Sequence, residues 1–395
     1  MNPNPHRWLE WLRPLARHLP EALKRPLRDA FAPGAAGIPD AEIPHASDSG
    51  AIVAEPEVVP DASDYAARVA AETAIFNDQV EVHDLPAIFH YWSNRYLRPK
   101  LEAFGFSNPD EFFALYLARS MTDAGESPAR FASLGCGNAD TEVRVAKLLV
   151  ERGLRDFTID CIDINEAMLA RGRQLADETG VGAQIRIVRG DFNDWRPAHR
   201  YAAAMANQSL HHVSNLEGLF GAVEQALEVD GRFITSDIIG RNGHMRWPEA
   251  LAIVQEYWAE LPAPRRYNVQ LKRHEERFEN WDCSHEGFEG IRAQDILPLL
   301  VERFEFELFI PYANVIDPFI DRSFGPHFDA GNDADRAFID RVHARDEAEI
   351  AAGAITPTHM MAVLRRRPYA GPRLGIDRLT PQRCLRVPRA ENDPS

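Results

Sequence analysis

From about residue 64 the apolar positions of this chain recur first at helical spacing and then in an alternation of short apolar runs with helix-spaced segments. Three helices are predicted at the start: Tyr65 to Phe76, Leu85 to Phe104 with its aromatic run Phe89-His90-Tyr91-Trp92, and Pro109 to Met121. Strands follow at Arg130 to Leu134, Phe157 to Ile162, Ile185 to Val188, Tyr201 to Ala206 and Arg232 to Ser236, with helices such as Glu166 to Glu178 and Leu216 to Leu227 between them. Alternation of this kind predicts an α/β fold, a doubly wound, mostly parallel sheet with helices on both faces. A mostly helical insertion (238–303) comes after the fifth strand. Strands Glu305 to Pro311 and His359 to Leu364 then read as a closing hairpin around a long loop (313–357). The expected organisation is a disordered tail and linker (1–62), a helical cap (63–125), a main domain (126–367) and a Pro- and Arg-rich disordered tail (368–395).

The chemistry concentrates where the first strand ends. Leu134-Gly135-Cys136-Gly137-Asn138-Ala139-Asp140 reads as a strand feeding a glycine turn and then a helix, where bare backbone approaches a ligand. Asp163 closes the second strand, placed to accept hydrogen bonds from ribose hydroxyls. Nicotinamide or flavin dinucleotides and S-adenosylmethionine (SAM) both suit such a site. The dinucleotide fingerprint needs a third glycine at the helix start, but Asp140 stands there and its charge repels a pyrophosphate. SAM carries no phosphate, so the details favour it.

Composition narrows the partners. Among 395 residues, 60 acidic against 44 basic side chains give a net charge of −16, which argues against nucleic acid. Four scattered cysteines with no paired spacing predict a reducing, cytoplasmic location. No apolar run of about 18 residues is present, so no membrane span is predicted. The segment from Arg7 to Phe31, with Trp8 and Trp11, is broken by Pro14, Pro20 and Pro26 and reads as a tail.

Five motifs in order resemble the class I SAM-dependent methyltransferases over roughly Arg130 to Arg365. They are the glycine loop, Cys161-Ile162-Asp163-Ile164-Asn165-Glu166, Gly190-Asp191-Phe192, Ser209-Leu210-His211-His212-Val213, and Leu227-Glu228-Val229-Asp230-Gly231-Arg232-Phe233. The resemblance implies a Rossmann-like fold and SAM as cofactor. Gly135, Cys136 and Gly137 would lie against its methionine part, Asp163 and Ile164 at the ribose, Asp191 and Phe192 at the adenine, and Asn207 beside the sulfonium. Two positions depart from the family pattern: Ser133, where an acid is common, and Ala139, where a third glycine is common. Arg95 of the aromatic helix is a candidate partner for the SAM carboxylate.

Methyl transfer is an in-line displacement that depends on holding nucleophile and methyl together, and a hydroxyl acceptor also needs its proton removed. His211 and His212 are the candidate bases. Arg246, Trp247, Tyr312 and Phe324, with Phe328, His285 and His327, are candidates to line a pocket for a small-molecule or glycan-like acceptor, methylated at oxygen. No metal is expected, because Asn207-Gln208-Ser209 offers no carboxylate at the fourth strand's end and Asp237 is a lone acid. The alternatives are a SAM-binding partner without catalysis and an NAD(P)-dependent oxidoreductase.

Overall fold

The computed structural model describes residues 62–77, 85–123, 128–285 and 287–386. The segment from Arg7 to Phe31, the linker that follows it and residues 387–395 lie outside the described residues.

Three helical stretches precede the sheet: α1 (Ala62–Asn77), α2 (Ala87–Trp92) running through a π-turn (Ser93–Leu97) into α3 (Arg98–Glu102), and α4 (Pro109–Asp123). The π-turn runs up to Pro99, which has no N–H to offer the carbonyl of Arg95, and the Arg98 N–H closes the wider turn on the Ser93 carbonyl. The main domain begins with β1 (Ala129–Leu134), α5 (Asp140–Glu151), β2 (Phe157–Asp163), α6 (Glu166–Glu178) and β3 (Ile185–Arg189). It continues with β4 (Tyr201–Asn207), α7 (Leu216–Ala226) and β5 (Leu227–Ile238). Asn165 and Asn215 cap α6 and α7, each side chain accepting backbone N–H bonds from the first turn.

The insertion holds α8 (Pro248–Glu260), a short hairpin of β6 (Tyr267–Asn268) and β7 (Arg273–His274), and α9 (Ala293–Arg303). Then come β8 (Glu305–Tyr312), α10 (Asp317–Ile320), α11 (Asp333–Ala352), β9 (His359–Arg365) and β10 (Leu374–Gly375). The eight-stranded sheet has the order β10-β8-β9-β5-β4-β1-β2-β3. β9 is antiparallel to both of its neighbours, and the other pairings are parallel. The sheet is therefore doubly wound and mostly parallel, with the strand order reversing between β1 and β4, where such sheets open a crevice at the carboxyl ends of their strands.

One face of the sheet packs on α4, α5 and α6 through Phe112, Phe113, Phe131, Val145 and Leu149; the other packs on α7 and α9 through Phe220, Val223, Phe233, Leu300 and Phe304. A third apolar cluster joins Ile88 and Trp92 of the cap to Trp258 of α8, Phe319, Phe324 and Phe328, and to Ile339 and Val342 of α11. The cap and the insertion are thus fused at their apolar faces.

Two expectations are corrected here. The region 313–357 is not one loop, since α11 occupies 20 residues of it, capped by Asn332 and ended by Gly353 at φ +70°. Its charged faces hide the period, but those two caps are readable. Residues 368–386 are not a disordered tail, because Leu374-Gly375 extends the sheet along β8 and Cys384 is buried in the core.

Candidate active site

β1 delivers the chain into a turn with Gly135 at φ +71° and Gly137 at φ +54°. A Cβ on Gly135 would stand 2.6 Å from the Cβ of Ser209 and 3.2 Å from the Phe192 ring, so only bare backbone fits between the ends of β4 and β3. Asp163 ends β2 beneath this turn, its oxygens accepting the backbone N–H groups of Gly137 and Asn165, each at 2.9 Å. Burial raises the Asp163 carboxyl above its ordinary range in spite of these donors. Ile164 is half-buried beside it, and Cys136 lies with its Sγ 3.7 Å from the Gly137 carbonyl. Asn207, at the end of β4, donates through Nδ2 to Thr141 Oγ1 at 3.1 Å, which ties that strand to the first turn of α5.

At β3 the Asp191 carboxylate accepts the Asn193 N–H at 2.8 Å and the Tyr65 hydroxyl at 2.5 Å. Asn165 donates to the Thr73 carbonyl, so α1 crosses the carboxyl ends of β2 and β3. The polar contribution from the N-terminal helices therefore comes from Tyr65. Arg95 does not reach this crevice: it is more than half exposed, bonded to the Tyr96 hydroxyl at 3.0 Å and paired with Asp340 of α11 at 3.6 Å.

Both departures from the family pattern are met by neighbours. Ser133 donates to Glu142 Oε1 at 2.6 Å, so α5 supplies a buried carboxyl next to the position where the strand lacks one; Glu142 Oε2 is buried without a hydrogen-bond partner. Ala139 adopts φ +54° in the core, and close packing of loop on helix is carried by Gly172 of α6, where a Cβ would stand 2.7 Å from the Asn138 carbonyl oxygen.

Burial pushes the Glu142 carboxyl up to about 7, from an ordinary value of 4.5. A value raised in the folded state means that its contribution to stability is complete below about pH 4.5 and is lost as the pH rises through about 7. Glu142→Gln cannot ionise, so urea unfolding of the cofactor-free variant is expected to gain on the wild type as the pH rises across that window. A constant difference across it would contradict the buried, unpaired carboxyl.

The exit of β4 carries the histidines. His211 is buried, and its Nδ1 lies 2.6 Å from Asp237 Oδ1. Asp237 is held by the backbone N–H groups of Ser209 (2.9 Å), Leu210 (2.7 Å) and Ile238 (2.8 Å). The insertion closes over this point: the Ile291 N–H donates to the His211 carbonyl at 3.1 Å, and the Gly243 N–H to the Gly290 carbonyl at 2.9 Å. These bonds bring Glu289 and His244 alongside. His211 Nε2 and His212 Nε2 each lie 3.5 Å from a Glu289 oxygen, and His244 Nε2 lies 2.5 Å from Glu289 Oε1. Burial opposes a charged His211, but the Asp237 and Glu289 carboxylates outweigh it and push the imidazole up to about 10.

The acceptor candidates divide. Tyr312 stacks on His359 (centroids 5.4 Å apart), and Arg246 pairs with Asp317 at 3.0 Å; His359 Nδ1 lies 3.5 Å from that same Asp317. Asp237 and His211 act electrostatically on His359, so this polar group adjoins the histidine cluster. The others are elsewhere. Phe324 and Phe328 are packed in the third apolar cluster, and His327 binds the Tyr267 carbonyl at 2.6 Å. His285 is largely exposed, and Trp247 is sandwiched by Arg241 and Arg386 near the C-terminal segment. Phe324, Phe328 and Trp247 are held by packing, which composition alone does not separate from binding.

Tyr65, Glu142, His244 and Glu289 were not singled out from sequence. Glu289 lies in the insertion, far along the chain from His211, and no local pattern marks it. Asp237 was noted only as a lone acid at the end of its strand, and that position was its signal.

The strand order, the glycine turn between β1 and α5, and the acid at the end of β2 agree with the resemblance to class I SAM-dependent methyltransferases. Residues 132–231 match the family model described as methyltransferase domain. Two curated relatives, each named trans-aconitate 2-methyltransferase, from Acidovorax sp. (strain JS42) and Acidovorax ebreus (strain TPSY), are 29% identical over 151 residues, covering 38% of this chain and 48% of theirs. The match therefore spans about half the length of those relatives. A solved O-methyltransferase of a trans-AT polyketide synthase multienzyme from Brevibacillus brevis, in complex with S-adenosyl-L-homocysteine, is 14% identical with a TM-score of 0.38, covering 73% of this chain and 86% of that one. Among the described residues no helix is long and apolar enough to cross a membrane.

Proposed function

We propose that the protein transfers the methyl group of SAM to an oxygen of a small-molecule or glycan-like acceptor bound at the exits of β4 and β5. The observation that carries this reading is the meeting, in one crevice, of the glycine turn, Asp163, Asn207 and the His211-Asp237 pair. The chain's residues fit the cofactor: the turn admits only backbone at Gly135, Asp163 can take ribose hydroxyls on its remaining lone pairs, and Asp140 at the helix start suits a ligand without phosphate. SAM supplies the electrophilic methyl; the protein's part is to hold the acceptor in line and exclude water.

Asp237 fixes the His211 ring and leaves its Nε2 directed into the crevice where the acceptor would lie. Tyr312, His359 and Arg246 with Asp317 are the adjoining polar wall for the rest of the acceptor. The name of the curated relatives favours a small polar acceptor. Four free cysteines without a disulfide among them accord with a cytoplasmic location.

Calorimetric titration of the purified protein with SAM, S-adenosylhomocysteine and NADH tests the cofactor assignment. Binding of the first two without response to NADH is expected. Binding of NADH alone would overturn the reading, and adenosyl binding without turnover on a panel of hydroxyl- and carboxyl-bearing acceptors would leave a binding protein.

A further inference from the structure

We propose that His211, His212 and Glu289 form a binding site for a divalent first-row metal ion at the exit of β4. The absence of a metal was expected because no carboxylate was legible near that strand; the insertion brings Glu289 there. The Nε2 atoms of His211 and His212 each face a different Glu289 oxygen at 3.5 Å, and all three ligand atoms lie within 4.8 Å of one another. That spacing is long for a hydrogen bond. Such ions bind imidazole nitrogen and carboxylate oxygen at about 2.0–2.2 Å, which sets tetrahedral ligands roughly 3.4 Å apart.

An independent observation is the support behind the first ligand. Asp237 holds His211 Nδ1 at 2.6 Å and is itself locked by three backbone N–H groups, so Nε2 is the nitrogen turned toward Glu289. A carboxylate behind a ligating imidazole is the usual way metal sites orient and strengthen that ligand. His244 is placed as an orienting residue: its Nε2 is 2.5 Å from Glu289 Oε1, too close for both atoms to bind one ion, and its Nδ1 is buried without a hydrogen-bond partner.

The site is open on one side. His211 is buried, while the side chains of His212 and Glu289 are 14% and 38% exposed, which leaves coordination positions for water or a ligand oxygen. Two histidines and one carboxylate with open positions suit ions that prefer nitrogen and oxygen donors. That an acceptor oxygen could take one of those positions, beside the methyl donor, rests on the methyl-transfer reading; the metal site itself does not.

The test therefore uses neither SAM nor acceptor. Full-length protein freed of affinity tags and stripped with EDTA is titrated with Zn2+ by calorimetry and with Co2+ by visible absorption, folding being followed by circular dichroism. One ion per chain is expected, with a Co2+ ligand-field spectrum. His212→Ala and Glu289→Gln should weaken binding more than about 100-fold, and Asp237→Asn by about 10–100-fold, the usual effect of an outer partner. Should Asp237→Asn fail to fold, the other two decide. Absence of binding below millimolar Zn2+, or unchanged affinity in folded His212→Ala, would overturn the proposal. So would loss of binding in Cys283→Ser with retention in His212→Ala, because the ion would then sit on the neighbouring His244, Cys283 and Glu289 set.

Discussion

Glu307→Ala is expected to destabilise the protein by about 3–5 kcal/mol, the cost of leaving buried charge without its partner. Glu307 of β8 is buried and accepts from two buried arginines, Arg232 Nε of β5 at 2.9 Å and Arg365 Nη1 of β9 at 2.9 Å. Arg232 also donates to Asp123 at 2.7 Å, so the same network fastens α4 to the sheet. Removing the carboxylate strands two guanidinium groups among three strands, and water reaches neither freely. Urea unfolding by circular dichroism checks this. Replacing Arg232, Arg365 and Glu307 together by Met should recover most of the loss, since well-packed apolar groups commonly match such a network. A loss below about 1 kcal/mol for Glu307→Ala would mean that the arginines find solvent or other partners.

Asp163→Ala is expected to weaken SAM binding by about 1–3 kcal/mol, which is roughly 5- to 150-fold in affinity. The carboxylate accepts the N–H of Gly137, which holds the glycine turn down on the end of β2. In the reading proposed above it also accepts the ribose hydroxyls of the cofactor. Asp163→Asn keeps one acceptor oxygen for the turn and should lose less. Calorimetry with S-adenosylhomocysteine reads both variants, and equal affinity in wild type and Asp163→Ala would remove Asp163 from the cofactor site.

The two effects differ in how far they could be foreseen. Asp163 was legible because a glycine turn after one strand and an acid at the end of the next are local features, each set by a few adjacent residues. The Glu307 network was not, because Asp123, Arg232, Glu307 and Arg365 are scattered along the chain and become neighbours only when β9 inserts between β5 and β8. The same distinction runs through the candidate active site. Gly135, Gly137, Asp163, Asp191 and Asn207 fall where the motifs put them, at the ends of their strands. Arg95 is turned instead to Asp340, because the aromatic helix packs its apolar side against α11 and leaves the arginine at that seam.

What the sequence by itself determined is the alternation of strands and helices, the position of the glycine turn and the acid at the end of the second strand, because period, glycine and strand-end position act within a few residues. Only the tertiary structure decided which side chains surround His211. Glu289 and His244 arrive there through backbone bonds from the insertion to the exit of β4, Tyr65 reaches Asp191 from α1, and Phe324 and Trp247 are taken up by packing elsewhere. Contacts between distant segments depend on how apolar faces are buried together, and no spacing along the chain encodes them.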